Sequence, residues 1–249
     1  MRTGHIQYRQ QQQLGVNMEF TTAAIRTRHT LGLVSALVFM LCAFAVNAED
    51  DPKVLLESAS IKMINALNDN RDKIKTDPNV TQQLIEANLL PHLDFITASK
   101  YVLGSSWDSA SKEQKISFIK AFRTLLLRFY SSALTEYLSN HDEKLDPNTM
   151  VFYDPGNITS NQVTIRSDVQ PKSGKPVPVN YQMHKTRNGW KVFDVSVEGV
   201  SVITTYKTSF ASEIQQGGLD KLIASINERN AKLAAGEKDP ALKKTSNNN

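Results

Sequence analysis

Asn188-Gly189-Trp190-Lys191-Val192-Phe193-Asp194-Val195-Ser196-Val197-Glu198-Gly199-Val200-Ser201-Val202-Ile203 contains the change from sheet to helix around which the chain is organised. Asn188-Gly189 is the strongest short hairpin signal, because both residue types tolerate the positive φ of a type I′ turn. Trp190–Val197 reads as a strand, rich in β-branched and aromatic residues and apolar on both faces, as a strand covered on both sides would be. Glu198-Gly199 breaks it. Ser201 can then N-cap a helix carrying Val202, Ile203, Tyr206, Phe210 and Ile214. So short a link fixes the angle between strand and helix, which makes this stretch the corner of a domain.

Working upstream, the period is two. Thr149–Tyr153 is a short strand stopped by Pro155-Gly156, and Val163, Ile165, Ser167 and Val169 alternate with polar residues. Lys172-Ser173-Gly174-Lys175 turns the chain into a further strand in which Val177, Val179, Tyr181 and Met183 alternate with Asn180, Gln182 and His184. About four strands in an antiparallel meander follow from this pattern.

Before the meander the period is helical. Asp51-Pro52 and Asp77-Pro78 each place an acid at the cap and proline at the first helical position. Pro91 ends the second helix, and Asp94 can cap a third that closes at Gly104. Ser111 and Gln114 form a capping box for the longest helix, which runs to about Leu138. Its apolar residues cover roughly 200° at 100° per residue, about twice what a surface helix needs, so it must be covered on two sides, by other helices and by the sheet. After the corner, Gly217-Gly218 interrupts the last helical stretch, and Leu219, Leu222, Ile223 and Ile226 continue it. Helices, then a meander, then helices is an α+β layout.

The N-terminus carries its own signal. Arg26, Arg28 and His29 precede the apolar run Leu31–Val46, and Val46-Asn47-Ala48 offers small residues for cleavage, the layout of a secretory signal peptide. Residues 1–48 are therefore expected to be an extension with a cleaved signal, with Met18 as an alternative start, and the protein to be periplasmic. The folded domain is expected over 49–234, followed by a disordered polar tail over 235–249. The one cysteine, Cys42, lies inside the apolar run behind Leu41, where lipidation would want a small residue. The mature chain thus has no thiol for a disulfide or a metal.

Charge and motifs exclude more than they assign. The 249 residues carry a net charge of +4, but residues 1–48 hold Arg2, Arg9, Arg26 and Arg28 against Glu19 alone. That leaves 25 basic and 24 acidic residues, a net charge of +1, and no reason to expect nucleic acid. There is no HExxH, GxSxG, phosphate-cradling glycine loop or calcium loop. Asp194 and Glu198 are about 13 Å apart along a strand, too far for a carboxylate pair. His141 and His184 read as solvated, His92 and Asp94 as a helix junction, and Asp194 as a structural hydrogen-bond acceptor. An enzyme is not expected, and neither is a metal or cofactor. What remains is surplus apolar surface, which periodicity assigns to core packing before a ligand cavity.

Several short stretches resemble one family. Leu103-Gly104, the aromatic helix with Ala121-Phe122-Arg123, Gly189–Asp194, Val197–Ser201 with Thr204-Thr205-Tyr206, and Gly218-Leu219-Asp220 are similar, in order, to the MlaC family of toluene-tolerance auxiliary proteins. The likeness spans about Lys53 to Asn230. It departs after Thr-Thr, where Tyr206 displaces a basic residue that follows here as Lys207.

The resemblance implies a twisted antiparallel sheet on a helical layer, with an apolar cavity for acyl chains between them and the head group at the mouth. It further implies a monomeric phospholipid carrier that passes lipid between an outer-membrane lipoprotein–porin complex and an inner-membrane MCE-type ABC transporter, maintaining outer-membrane asymmetry. The lipid would be cargo rather than cofactor. The walls expected on this basis are Leu103, Phe122, Leu125, Leu126 and Phe129 from the helices, Val163, Ile165, Val179, Tyr181, Val195 and Val197 from the sheet, and Val202 at the edge. A periplasmic adaptor or chaperone-like protein without a lipid ligand is the competing reading.

Overall fold

The computed structural model describes residues 51–77 and 79–237. The expected signal peptide, Cys42 and all of the tail beyond Glu237 lie outside the described residues. No described helix is long and apolar enough to cross a membrane.

Asp51 caps α1 (Pro52–Asp69), its carboxylate accepting from the N–H groups of Lys53 and Val54. Two shorter helices follow, α2 (Arg71–Thr76) and α3 (Asn79–Asn88). Asp94 caps α4 (Phe95–Leu103) through the N–H groups of Ile96 and Thr97, and Gly104, at φ 54°, closes it. After α5 (Ser105–Ser109), the Ser111–Gln114 capping box opens α6 (Lys112–Asn140). The short helices α2 and α5 are too brief to show a period in the sequence.

Five strands then form a meander in the order β1-β2-β3-β4-β5: Met150–Phe152, Gln162–Val169, Val177–Thr186, Gly189–Val197 and Val200–Ser201. Every neighbouring pair is antiparallel. The last helix, α7 (Val202–Ala234), is broken at Gly218, whose φ of 77° and ψ of 177° are not helical.

The two turns of the corner differ from expectation in an instructive way. Thr186 pairs with Gly189, so the tight loop is Arg187-Asn188, and of these three residues only Gly189 has positive φ, at 83°. Asn188-Gly189 is therefore not a type I′ turn. The combination is that of a type I turn followed by a left-handed glycine. The type I′ signature occurs ten residues later instead. Glu198 (φ 50°) and Gly199 (φ 83°) connect β4 to β5, with Val197 paired to Val200. What reads as a strand break is a hairpin, and it adds the fifth strand.

A bulge in β4 explains its burial on both faces. Gln182 pairs with Asp194 and Met183 with Val192, leaving Phe193 as the extra residue. Val192 packs into the sheet cluster with Leu56, Ile165, Met183 and Trp190, whereas Phe193 joins the helical core. There its ring stacks on Tyr101 at 5.3 Å.

Candidate functional site

The side chains of α6 divide into three sectors when placed at about 100° per residue. The first, Phe118, Ala121, Phe122 and Leu125, is buried against α4 and α7. Phe122 makes T-shaped contacts with Tyr206 at 5.2 Å and Phe210 at 6.0 Å. The second, Leu127 and Leu138 with Leu134, packs on Met63 and Leu67 of α1, Ile74 of α2 and Ile85 of α3. Between them lies a third sector, Leu126, Phe129, Tyr130, Ala133 and Tyr137. None of its members is fully buried. The wide apolar arc is thus covered on two sides, but both covers are helical apart from Phe193 of β4, where helices on one side and the sheet on the other were expected, and an accessible apolar band lies between them.

Tyr130 stands in that band. It is 46% exposed, yet burial and the Asp194 carboxylate push its hydroxyl above the ordinary phenol range. Burial likewise pushes up the phenol of Tyr181, which is only half-buried.

The six expected sheet residues share one face. Ile165 pairs with Tyr181 and Tyr181 with Val195, Val179 pairs with Val197, and Val163 lies two residues from Ile165 on β2. Their exposure divides them. Ile165 is inaccessible and Val179 buried, Val163, Tyr181 and Val195 are half-buried, and Val197 is 43% exposed. Among the helical residues, Leu103, Phe122 and Leu125 are buried in packing between helices, while Leu126, Phe129 and Val202 are half-buried. Phe122, Leu125 and Ile165 thus lie behind the accessible surface.

The corner is held by a buried carboxylate. Asp194 accepts from the Ser201 hydroxyl at 2.7 Å, the Ile203 N–H at 3.1 Å and the Gln182 amide at 3.3 Å. This is the structural role expected of it. His184 differs from its solvated reading: its Nε2 lies 2.8 Å from Asp94 Oδ2, and its ring meets Phe193 edge-on. The bond joins β3 to the cap of α4. A separation of 90 residues hides it from any local pattern.

An open concavity of about 660 Å³ lies where α6 approaches the sheet. Ile119 and Arg123 line it from α6, Leu93 and Lys191 from the sheet side, and Glu86 and Ile96 elsewhere on its wall. None of the expected wall residues lines it. A second open hollow of about 400 Å³ sits at Gly199–Ser201 and Thr204–Thr208. Among the described residues no cluster of His, Cys, Asp or Glu could hold a metal ion.

Comparison with known proteins agrees with this architecture. The chain is 30% identical over 198 residues to the intermembrane phospholipid transport system binding protein MlaC of Haemophilus influenzae, which spans 77% of this chain and 90% of that one. It is 27% identical over 192 residues to the toluene tolerance protein ttg2D of Pseudomonas putida, covering 75% and 86%. Its fold is similar, with a TM-score of 0.64 and 28% identity, to a phospholipid-binding protein from Ralstonia solanacearum solved in complex with a phospholipid, over 74% of this chain and 99% of that chain. The MlaC protein family matches residues 57–228, and the chain belongs to that family.

Proposed function

We propose that this protein is a periplasmic phospholipid carrier, its domain spanning residues 49–234 after removal of a signal peptide. The observation that carries the reading is the accessible apolar band of α6, Leu126, Phe129 and Tyr130, left open between two helix-covered sectors. The half-buried sheet residues Val163, Tyr181 and Val195 supply the opposing apolar surface, with Val197 and Val202 at its margin. Leu103, Phe122, Leu125, Ile165 and Val179 support those walls from behind. The lipid held by the Ralstonia relative supports acyl chains as the occupant.

The energetics set how such a carrier works. At about 0.8 kcal/mol per methylene, two chains with roughly 30 methylenes cost about 24 kcal/mol to expose to water. Spontaneous release is negligible on that scale, so lipid passes directly between the carrier and a partner's own apolar site. Moving the chains from bilayer to apolar pocket is nearly neutral, so direction comes from the partners. The outer-membrane lipoprotein–porin complex and the inner-membrane MCE-type ABC transporter are the proposed donor and acceptor sites, served by a monomer. No step requires a catalytic side chain.

Purification under mild conditions followed by organic extraction and mass spectrometry tests the reading. Co-purified phospholipid at near one molecule per chain supports it. A lipid-free protein that also takes none up from liposomes favours the adaptor or chaperone reading.

A further inference from the structure

The N-terminal half of α6 presents a face that is both basic and apolar. At about 100° per residue, Lys112, Ile116, Ile119, Lys120 and Arg123 fall within one arc of roughly 100°, turned away from the buried Phe118 and Phe122. Ile116 is 43% exposed, and Lys112, Lys120 and Arg123 are exposed beside it. α4 extends the face: Ile96, which is 62% exposed, lines one open concavity with Ile119 and Arg123. Lys100 stands one turn from Ile96, also exposed.

Charge sets this region apart. Residues 95–123 carry Lys100, Lys112, Lys115, Lys120 and Arg123 against Asp108 and Glu113, a net charge of +3. Residues 49–249 total +1, so everything outside the region sums to −2. Lys100, Lys112, Lys120 and Arg123 make no hydrogen bond or ion pair with a described residue. The acids across the concavity are engaged, Asp94 by Thr97 and His184 and Glu86 by Gln82. Lys112 even opens α6, where the helix macrodipole disfavours a cation. The stability of the fold therefore does not account for these charges.

The residue types select the partner. Protein interfaces are enriched in arginine and aromatic anchors and depleted in lysine. Here three of the four unpaired cations are lysines, and the exposed apolar residues are isoleucines. A lysine is a hydrated point charge on a flexible stem, suited to a diffuse layer of anionic groups rather than to one fixed carboxylate. Isoleucines set among such lysines make the mixed face by which a helix lies against lipid head groups. No described helix is long and apolar enough to cross a membrane, so such contact is peripheral.

We infer that the face formed by α4 and the N-terminal half of α6 docks the protein on anionic bilayer surfaces, with Ile96 and Ile116 entering the head-group layer and Lys112, Lys120 and Arg123 held over its phosphates. None of these residues belongs to the proposed lipid walls, so docking is separable from cargo binding.

Co-sedimentation with two vesicle preparations tests the docking face: phosphatidylcholine alone, and phosphatidylcholine mixed with phosphatidylglycerol. The wild-type protein is expected to pellet with the mixed vesicles at low salt, to be released at high salt, and to stay in solution with phosphatidylcholine alone. An anionic surface contributes about fivefold in partitioning per cation, so Lys120→Gln with Arg123→Gln should lower it roughly twenty-five-fold. Ile96→Ser with Ile116→Ser should lower it at constant charge. Lys62→Gln with Lys175→Gln removes the same charge from exposed sites elsewhere and should leave it nearly unchanged. Equal losses in the two lysine-bearing pairs overturn the assignment to this face, as does a wild type that ignores both vesicles or binds them alike. Retention on immobilised polyglutamate without vesicle binding overturns it in favour of an acidic protein partner. Phospholipid extracted from the Lys120, Arg123 double variant should match the wild type, and a parallel loss of lipid would place the face in the cargo site instead.

Discussion

The Ser201 hydroxyl donates to Asp194 Oδ2 at 2.7 Å and at the same time accepts from the Thr204 N–H at 3.0 Å. One side chain therefore caps α7 and ties that cap to the middle of β4. Asp194, only 6% exposed, also receives the Ile203 N–H, so the strand and the first helical turn share a single carboxylate. Removing it as Asp194→Ala strands two donors next to the helical core. Bonds to a charged acceptor contribute about 1.5–3 kcal/mol each, and the unsatisfied donors add to the loss. Asp194→Ala should lower stability by about 4–5 kcal/mol in urea denaturation, and Ser201→Ala, which gives up one of those charged bonds together with its cap, by about 2–3 kcal/mol. Equal, small losses in both would remove the carboxylate from its central position.

The hairpin that follows depends on backbone geometry rather than on space. A Cβ added at Gly199 would meet nothing within 4 Å, but its φ is +83°. Side-chain substitution there costs the left-handed penalty of about 1–2 kcal/mol without a clash. Gly199→Ala and Gly199→Lys should therefore lose stability by similar amounts, read from thermal midpoints. A much larger loss in the lysine variant would indicate crowding.

Much of this fold is legible in the sequence because its signals are local. The cap at Asp94, the box at Ser111–Gln114, the break at Gly218 and the alternation in β2 and β3 each depend on residues within a few positions of one another. The corner is harder to read. Asn188-Gly189 and Glu198-Gly199 both fit a two-residue turn, and which becomes type I′ is decided by strand pairing, not by dipeptide identity. Phe193 changes face through a bulge that periodicity cannot show. The site is legible only as an excess of apolar residues. Phe122 and Leu126 look alike in sequence, and only the packing of α4 and α7 onto one side of α6 separates them. The open concavity lined by α3, α4, α6 and β4 has no sequence signal, because its lining residues are far apart in the chain.

The Asp94–His184 bond gives the protein a specific acid response. Burial alone would raise the Asp94 carboxyl, but the N–H and hydroxyl of Thr97 and the His184 ring outweigh it and hold the group below its ordinary value of 3.8. A carboxylate depressed in the folded state contributes stability that is fully present above the unfolded value and is lost as pH falls through the folded one. The stability gap between wild type and Asp94→Asn should thus shrink as pH falls from about 5 toward 2. Chemical denaturation at a series of pH values measures it. A gap that widens on acidification would contradict the sign.

Neighbouring leucines on α6 separate core from cavity most directly. Leu125 has no accessible surface and packs among Phe118, Phe122 and Phe210, so a carboxylate there would be buried without a partner. That costs several kcal/mol, comparable to the whole stability of a domain this size. Leu126 is one residue on, rotated by about 100° into the accessible band, where a glutamate can reach water. Leu125→Glu should fail to accumulate as folded, secreted protein. Leu126→Glu should be secreted and melt within a few degrees of wild type, but carry little phospholipid, because the new charge sits where acyl chains would lie. Extraction of lipid from equal amounts of folded protein provides the comparison. If Leu126→Glu retains a full complement of lipid, the apolar band of α6 is not a wall of the binding site.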